Sequence, residues 1–265
     1  LIGQERVRDI LGSYITHNSL PHFLILVGAK GQGKQTLANA LASKMKALVY
    51  IPEDMKVDAV RAIVADSVTL HTPKFYLLAD AGTMTVQAQN ALLKLAEEPP
   101  KNAYIILTVE QADELLSTIQ SRALIIRLEG YSEADMLEFT DDPILLSVCD
   151  NPGQVLEYEQ IDYKSLYNHC VKVANNLHKI SVANAFNILK SVVPDQYELF
   201  LKFLIKVLRD NLIAEEGVTT NFKMINNLLI RVYEAKSFMS NKSVNKTNLL
   251  EMMLVEMRDI AWQLA

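Results

Sequence analysis

The strongest constraint on the fold is an apolar run, HFLILVG (His22–Gly28), that leads directly into GAKGQGK (Gly28–Lys34). A short continuous apolar run closed by glycine predicts a buried strand feeding a loop. The GxxxxGK spacing between that strand and a following helix predicts a phosphate-binding loop. Glycines let backbone N–H groups turn toward phosphate oxygens, the helix N-terminus adds partial positive charge, and Lys34 reaches the outer phosphates. Gly28, Gly31, Gly33, Lys34 and Thr36 are therefore the candidate nucleotide contacts. A GxxxxGK match alone arises by chance; its place between strand and helix is what gives it weight.

The first half of the chain continues in the same alternation. Val7, Ile10, Leu11 and Ile15 form a helical stripe, and LVYI (Leu48–Ile51), FYLLA (Phe75–Ala79), YIILT (Tyr104–Thr108) and LIIRL (Leu124–Leu128) read as further strands. Between them lie helices with apolar faces, Val57, Val60, Ile63 and Val64, then Val86, Ala91, Leu92 and Leu95. Strands alternating with helices predict a parallel sheet with crossover helices. After Gly130 the strands stop, and helices are divided by turn signals at Asn151-Pro152-Gly153, Val193-Pro194-Asp195 and Glu216-Gly217. We expect an α/β domain over residues 1–130, a small helical domain over 131–162 and an all-α domain over 163–265. The last cut is placed near Tyr163 because residues 162–192 hold no sharp breaker.

Composition narrows the function classes. Half of the 265 residues are apolar, enough for a large core and too many for a disordered chain. Twenty-six Lys and Arg against thirty-one Asp and Glu do not suit a protein that grips nucleic acid over its whole surface, so any DNA contact is local or shared with partners. Cys149 and Cys170 are the only cysteines, too few for a disulfide framework or a four-thiolate zinc site, and read as reduced thiols in apolar helical surroundings. No apolar run nears the roughly 20 residues of a membrane span, and LIGQERVRDIL is patterned as a polar helix, not a signal peptide. A cytoplasmic protein with no membrane contact is expected.

The phosphate loop departs from its pattern at one point. The residue after Lys34, a Ser or Thr where a hydroxyl ligates magnesium, is Gln35. A glutamine amide on its longer stem is a poor substitute at a tight octahedral ion, and Thr36, one residue later, points about 100° away on a helix. Two more stretches matter: MTVQAQNALLKLAEEPP (Met84–Pro100) and STIQSRALIIRL (Ser117–Leu128). On spacing alone the first is an amphipathic helix ended by Pro99-Pro100, and Arg122 is a solvated or salt-bridged arginine at the start of a strand. Taken with the loop, these strings resemble the clamp-loader family of AAA+ proteins, the first almost residue for residue.

The resemblance implies an AAA+ P-loop domain, a small helical lid domain and a helical collar domain. It places the family's magnesium-binding aspartate on Ala79 and its water-activating glutamate on Asp80, and because strand side chains alternate between faces, Asp80 is not expected to replace what Ala79 lacks. The metal site then lacks both hydroxyl and carboxylate, so no metal ligand is assigned. Ser121 and Arg122 match the family's serine-arginine-cysteine motif, with Ala123 in the cysteine place, and imply an arginine finger reaching the γ-phosphate bound by a neighbouring subunit. The family's sensor-two arginine falls on Gln154 and its sensor-one residue near Thr108. Leu208–Glu216 and Ser243–Asp259 are similar to collar helices, the latter capped by Asn245 with Leu249, Leu250, Met253, Leu254 and Met257 on its apolar face. Residues 44–75 contain no cysteine, so the zinc module usual in bacterial members is expected to be absent.

The function so implied is that of a non-hydrolysing, delta-prime-like accessory subunit of the DNA polymerase III clamp loader. Its partners would be the motor and delta subunits of a hetero-pentamer and, through the assembly, the sliding clamp and primer-template DNA. No cofactor is required, although the loop amides and Lys34 leave room for ATP, phosphate or sulfate held without turnover. One alternative is an ATP-hydrolysing motor subunit, which needs the hydroxyl and acidic pair that Gln35 and Ala79 do not supply. Another is an unrelated P-loop protein of kinase-like type, which does not explain Met84–Pro100 together with Ser121-Arg122.

Overall fold

The computed structural model describes residues 2–215, 220–241 and 243–264. The chain divides into two compact units, Leu1–Asp142 with Cys149–Leu156, and Pro143–Val148 with Glu157–Ala265. Residues 131–162, expected as a separate small domain, are shared between the two.

The first unit runs α1 (Glu5–Thr16), β1 (Phe23–Val27), α2 (Lys34–Lys44), β2 (Leu48–Tyr50), α3 (Val57–Ser67), β3 (Lys74–Leu78), α4 (Val86–Glu97), β4 (Ala103–Val109), α5 (Ser117–Gln120), β5 (Leu124–Arg127) and α6 (Glu133–Leu137). The five strands form one parallel sheet in the order β2-β3-β4-β1-β5. This is the α/β architecture that the alternation predicts, and all five strand segments lie where the apolar runs put them.

Both faces of the sheet are covered along β1, β3 and β4, while the edge strand β2 is exposed at Leu48, Val49 and Tyr50. Ile25, Val27, Tyr76, Leu78, Ile105 and Leu107 belong to one core with Val60 and Ile63 of α3 and Leu92 and Leu95 of α4. Leu24, Leu26, Phe75, Leu77 and Ile106 belong to the other, with Val7 and Leu11 of α1 and Leu37 and Leu41 of α2. Burial on two sides is why these strands are continuous apolar runs and not alternating ones. Two apolar positions depart from the expected stripes. Ile10 is 40% exposed and Val86 58% exposed. In α1 the buried line follows Val7 and Leu11, and Ile10 sits about 100° from Leu11 around the helix; Val86 opens the first turn of α4, before the helix reaches the sheet.

The order of strands fixes where a site can form. β1 lies inside the sheet between β4 and β5, so the loop after Val27 emerges beside the ends of those two strands, and the Gly28 N–H donates to the Val109 carbonyl at 3.1 Å. Crevices outside the carboxyl ends of strands are the usual ligand positions in open α/β sheets.

Pro143–Leu146 (α7) and Pro152–Tyr158 (α8) follow, and then α9 (Tyr163–Asn176), α10 (Val182–Lys190), α11 (Tyr197–Ala214), α12 (Thr220–Phe238) and α13 (Lys246–Leu264). Asn151-Pro152-Gly153 is thus a helix start, with proline at the first helical position where its missing N–H costs nothing. α9 starts at Tyr163, capped by Asp162, whose Oδ1 accepts from the Ser165 N–H at 3.1 Å. The stretch 162–192 does break, at a 3-10 turn over Leu177–Lys179, and Ser181 caps the next helix by accepting from the Asn184 N–H at 3.2 Å. No Gly or Pro marks that break. The Glu216-Gly217 turn lies outside the described residues.

In the second unit α11 is buried on nearly every side, through Tyr197, Phe200, Phe203, Leu204 and Leu208 among others, as a central helix must be. It packs on α9 and α12, and α13 packs on α12 and α10. Asn245 caps α13 as expected, its Oδ1 accepting from the Asn248 N–H at 3.1 Å, and Leu250, Met253, Leu254 and Met257 are buried. Both cysteines are buried. Cys170 sits on α9, where burial pushes its thiol up and makes it unreactive; Cys149 follows α7 in a loop, not in a helix. Among the described residues no helix is long and apolar enough to cross a membrane.

Candidate functional site

The carboxyl ends of the central strands border a cavity of about 600 Å³ in the first unit. The phosphate-loop residues Lys30 to Thr36 form its floor with Asp80 and Thr108, and Ile2, Tyr131, Phe139 and Leu156 give it an apolar wall. That size and mixture suit a small organic ligand with a charged end.

The loop gets its shape from Gly31 and Gly33, both in the left-handed region at φ 83° and 90°. Its polar groups are taken up by the chain itself. Gln32 Oε1 accepts from the Ala29 N–H at 2.7 Å, while its Nε2 donates to the Glu129 carbonyl at 2.7 Å. Lys34 is only 7% exposed, and its Nζ donates to the carbonyls of Gly28 and, at 3.1 Å, Ala29. Burial lowers the Lys34 pKa, and the nearby carboxylates of Glu110, Asp80 and Glu114 oppose that shift. Asn151 Nδ2 donates to the Lys30 carbonyl at 3.2 Å, the Gly153 N–H to the Gly31 carbonyl at 3.0 Å, and the Tyr131 hydroxyl to the Gln32 carbonyl at 3.1 Å. A Cβ on Gly31 would lie 2.9 Å from the Gly153 Cα, so backbone meets backbone here and both positions require glycine. A phosphate entering this loop has to displace the Gln32 amide from Ala29 and draw Lys34 off two carbonyls.

Asp80 differs from expectation. β3 ends at Leu78, and Asp80 stands beyond it at φ 54°, in a left-handed turn, so strand alternation no longer sets its direction. Its N–H donates to Thr108 Oγ1 at 3.0 Å, and it reaches the cavity wall after all. Thr108, the expected sensor-one position, is 1% exposed and shares that wall. Gln35 and Thr36 both border the cavity. Gln154 is engaged elsewhere: its Oε1 accepts from the Asp150 N–H at 2.9 Å, and it does not line the cavity. The oxygens offered are thus an amide at Gln35, a hydroxyl one position late at Thr36 and one carboxylate at Asp80. This set does not fit magnesium, which demands near-ideal octahedral geometry at about 2.0–2.1 Å.

Ser121 and Arg122 lie at the end of α5 and do not line the cavity. Ser121 Oγ donates to the Thr118 carbonyl at 3.1 Å. Arg122, with 37% of its side chain exposed, donates from Nη1 to the Thr118 carbonyl at 3.0 Å and pairs through Nη2 with Glu97 Oε1 at 3.0 Å. The two motif strings therefore meet: Glu97 ends α4, and Gln89, about two turns earlier on the same helix, accepts from the Leu116 N–H at 2.8 Å where α5 begins. Gln32, Tyr131, Gln89 and Glu97 receive no individual role from the sequence, and Asn151 is read there only as part of a turn signal. Their partners lie between 3 and 121 residues away; Gln32 sits inside the loop motif and Gln89 and Glu97 inside the Met84–Pro100 string, but nothing local names their partners.

Comparison with known proteins bears on this geometry. The family described as DNA polymerase III, delta subunit matches residues 51–132, the stretch that includes α4 and Arg122. The replication factor C small subunit of Aeropyrum pernix is 24% identical over 78% of this chain and 68% of its own length. The DNA polymerase III subunit gamma of Buchnera aphidicola subsp. Acyrthosiphon pisum is 24% identical over 76% of this chain and 65% of its own length. The replication factor C small subunit of Methanosarcina barkeri is 25% identical over 97% of this chain and 84% of its own. The chain thus spans about two thirds of the length of the first two of these relatives. Among solved structures, a DNA polymerase III gamma subunit-related protein from Thermotoga maritima aligns with TM-score 0.55 at 17% identity, covering 98% of this chain and all of that one. At that identity the likeness establishes the fold alone, a parallel five-stranded sheet with flanking helices and a helical C-terminal region.

Proposed function

We propose, from the clamp-loader AAA+ family that these relatives support, that the chain is a non-hydrolysing, delta-prime-like subunit of a DNA polymerase III clamp loader. It would take part in loading the sliding clamp on primed DNA and lend Arg122 to a neighbouring ATPase subunit. The observation that carries this reading is the self-occupied phosphate loop: Gln32 on the Ala29 N–H, Lys34 on two carbonyls, and Gln35 where a magnesium hydroxyl belongs. Phosphoryl transfer rests on positioning and charge neutralisation by a held metal ion, and this donor set supplies neither at home. Arg122 needs no nucleotide of its own, because a guanidinium is permanently charged and forked.

The reading places the main oligomer contact on the second unit, as a collar. Its helices expose large apolar side chains that such a contact would cover, with Ile213 82%, Met252 63%, Trp262 61% and Phe238 51% exposed. It also implies a cytoplasmic protein that requires no cofactor. A second reading, an ATP-hydrolysing motor subunit, draws on Asp80 at the cavity wall and on a relative named subunit gamma. It still lacks the hydroxyl after Lys34.

The test is assembly. Copurified with the clamp-loader subunits of its own organism, the chain is expected in a hetero-pentamer whose mass accounts for one copy of it. A chain that elutes alone in the presence of those subunits would remove the proposed function.

A further inference from the structure

We propose that Glu97 is a positioning residue for Arg122, holding the guanidinium in the orientation from which it serves a neighbour's nucleotide; the proposal rests on the arginine-finger reading of Arg122. Glu97 Oε1 stands 3.0 Å from Arg122 Nη2, while Nη1 donates to the Thr118 carbonyl at 3.0 Å and lies 3.4 Å from Ser121 Oγ. A guanidinium has five N–H donors in a rigid fork. Contacts at both terminal nitrogens fix the plane of that fork and leave donors over for a phosphate.

The pair is part of a larger joint. Gln89, 4% exposed, accepts from the Leu116 N–H at 2.8 Å and donates from Nε2 to the Met84 carbonyl at 3.3 Å. Eight residues further along α4, about 12 Å of helix, Glu97 takes the guanidinium. One end of α4 therefore fixes where α5 begins, and the other fixes the arginine that follows α5. Glu97 does not border the cavity, so its carboxylate has no part in the chain's own phosphate loop. An isolated exposed ion pair contributes little to stability; this one is anchored to two elements already held together by a buried amide.

The experiment uses the reconstituted loader, with DNA- and clamp-stimulated ATP turnover as the readout and the mass of each assembly checked. The share of turnover that Arg122→Ala removes belongs to the served site. Glu97→Gln is expected to lower turnover at that site about fivefold, the size of effect the upper end of an exposed ion pair gives, with KM for ATP unchanged. The double variant Glu97→Gln/Arg122→Ala is expected to match Arg122→Ala alone, which a merely structural role would not produce. Full turnover in Glu97→Gln beside a clear loss in Arg122→Ala overturns the positioning role and leaves the finger standing; so does a further loss in the double variant. No loss in Arg122→Ala overturns both.

Discussion

A clamp loader reconstituted with the Arg122→Ala chain is expected to lose part of its DNA- and clamp-stimulated ATP turnover, and not all of it. An arginine finger contributes about 10³ to 10⁵ in rate at the site it completes. Several motor sites share the work of such an assembly, and Arg122 completes one, so the bulk rate falls by that site's share. A surface salt bridge, by contrast, is worth about 0–1 kcal/mol, so losing the bond to Glu97 alone lowers the rate at that site far less than losing the guanidinium does. With its side chain 37% exposed, Arg122 can be removed without opening a core. Turnover and clamp loading both retained in full would return Arg122 to an ordinary ion-paired surface residue.

The largest expected effect on stability lies in the other unit. Phe200, fully buried on the central helix α11, is covered by a ring contact from His169 at 6.3 Å and its carbonyl receives the Cys170 thiol at 3.6 Å. Phe200→Ala removes a large side chain from a packed interior and leaves a cavity, at a cost of about 3–5 kcal/mol. That is a large part of the roughly 5–15 kcal/mol by which a domain is stable. Chemical denaturation is expected to show an early transition of the helical unit, and assembly with partner subunits should fall with it. A shift of under about 1 kcal/mol would mean that α11 is not the centre of that unit's core.

β1, β3 and β4 were legible because strands of a parallel sheet covered on both faces are continuous apolar runs; β2 was legible as such a run too, although its three residues are exposed at the sheet edge. The phosphate loop was legible from its spacing between strand and helix, whereas Arg122 stood out only through the resemblance of its surrounding string to the clamp-loader family. What was not legible depends on chain geometry or on distant partners. Asp80 reaches the cavity only because β3 stops at Leu78 and the backbone turns left-handed at φ 54°. The break at 177–181 uses Ser181 as a cap and has no glycine or proline to mark it. Gly153 meets Gly31 from more than a hundred residues away, and nothing in either local sequence announces the contact. The roles proposed for Ser121, Arg122 and the loop glycines are likewise matters of what surrounds them in an assembly, which a single chain's spacing cannot carry.

The most direct measurement is the DNA- and clamp-stimulated ATP turnover of a reconstituted loader whose only change is Lys34→Ala in this chain. Lys34 is the residue on which any nucleotide chemistry of the chain's own phosphate loop would depend, and here its ammonium is held by the Gly28 and Ala29 carbonyls. If the chain serves a neighbour's site and runs none of its own, turnover with Lys34→Ala equals that of the unaltered loader while Arg122→Ala falls. A loss with Lys34→Ala as large as that of one motor site, in an assembly of unchanged mass, would show that this chain hydrolyses ATP itself.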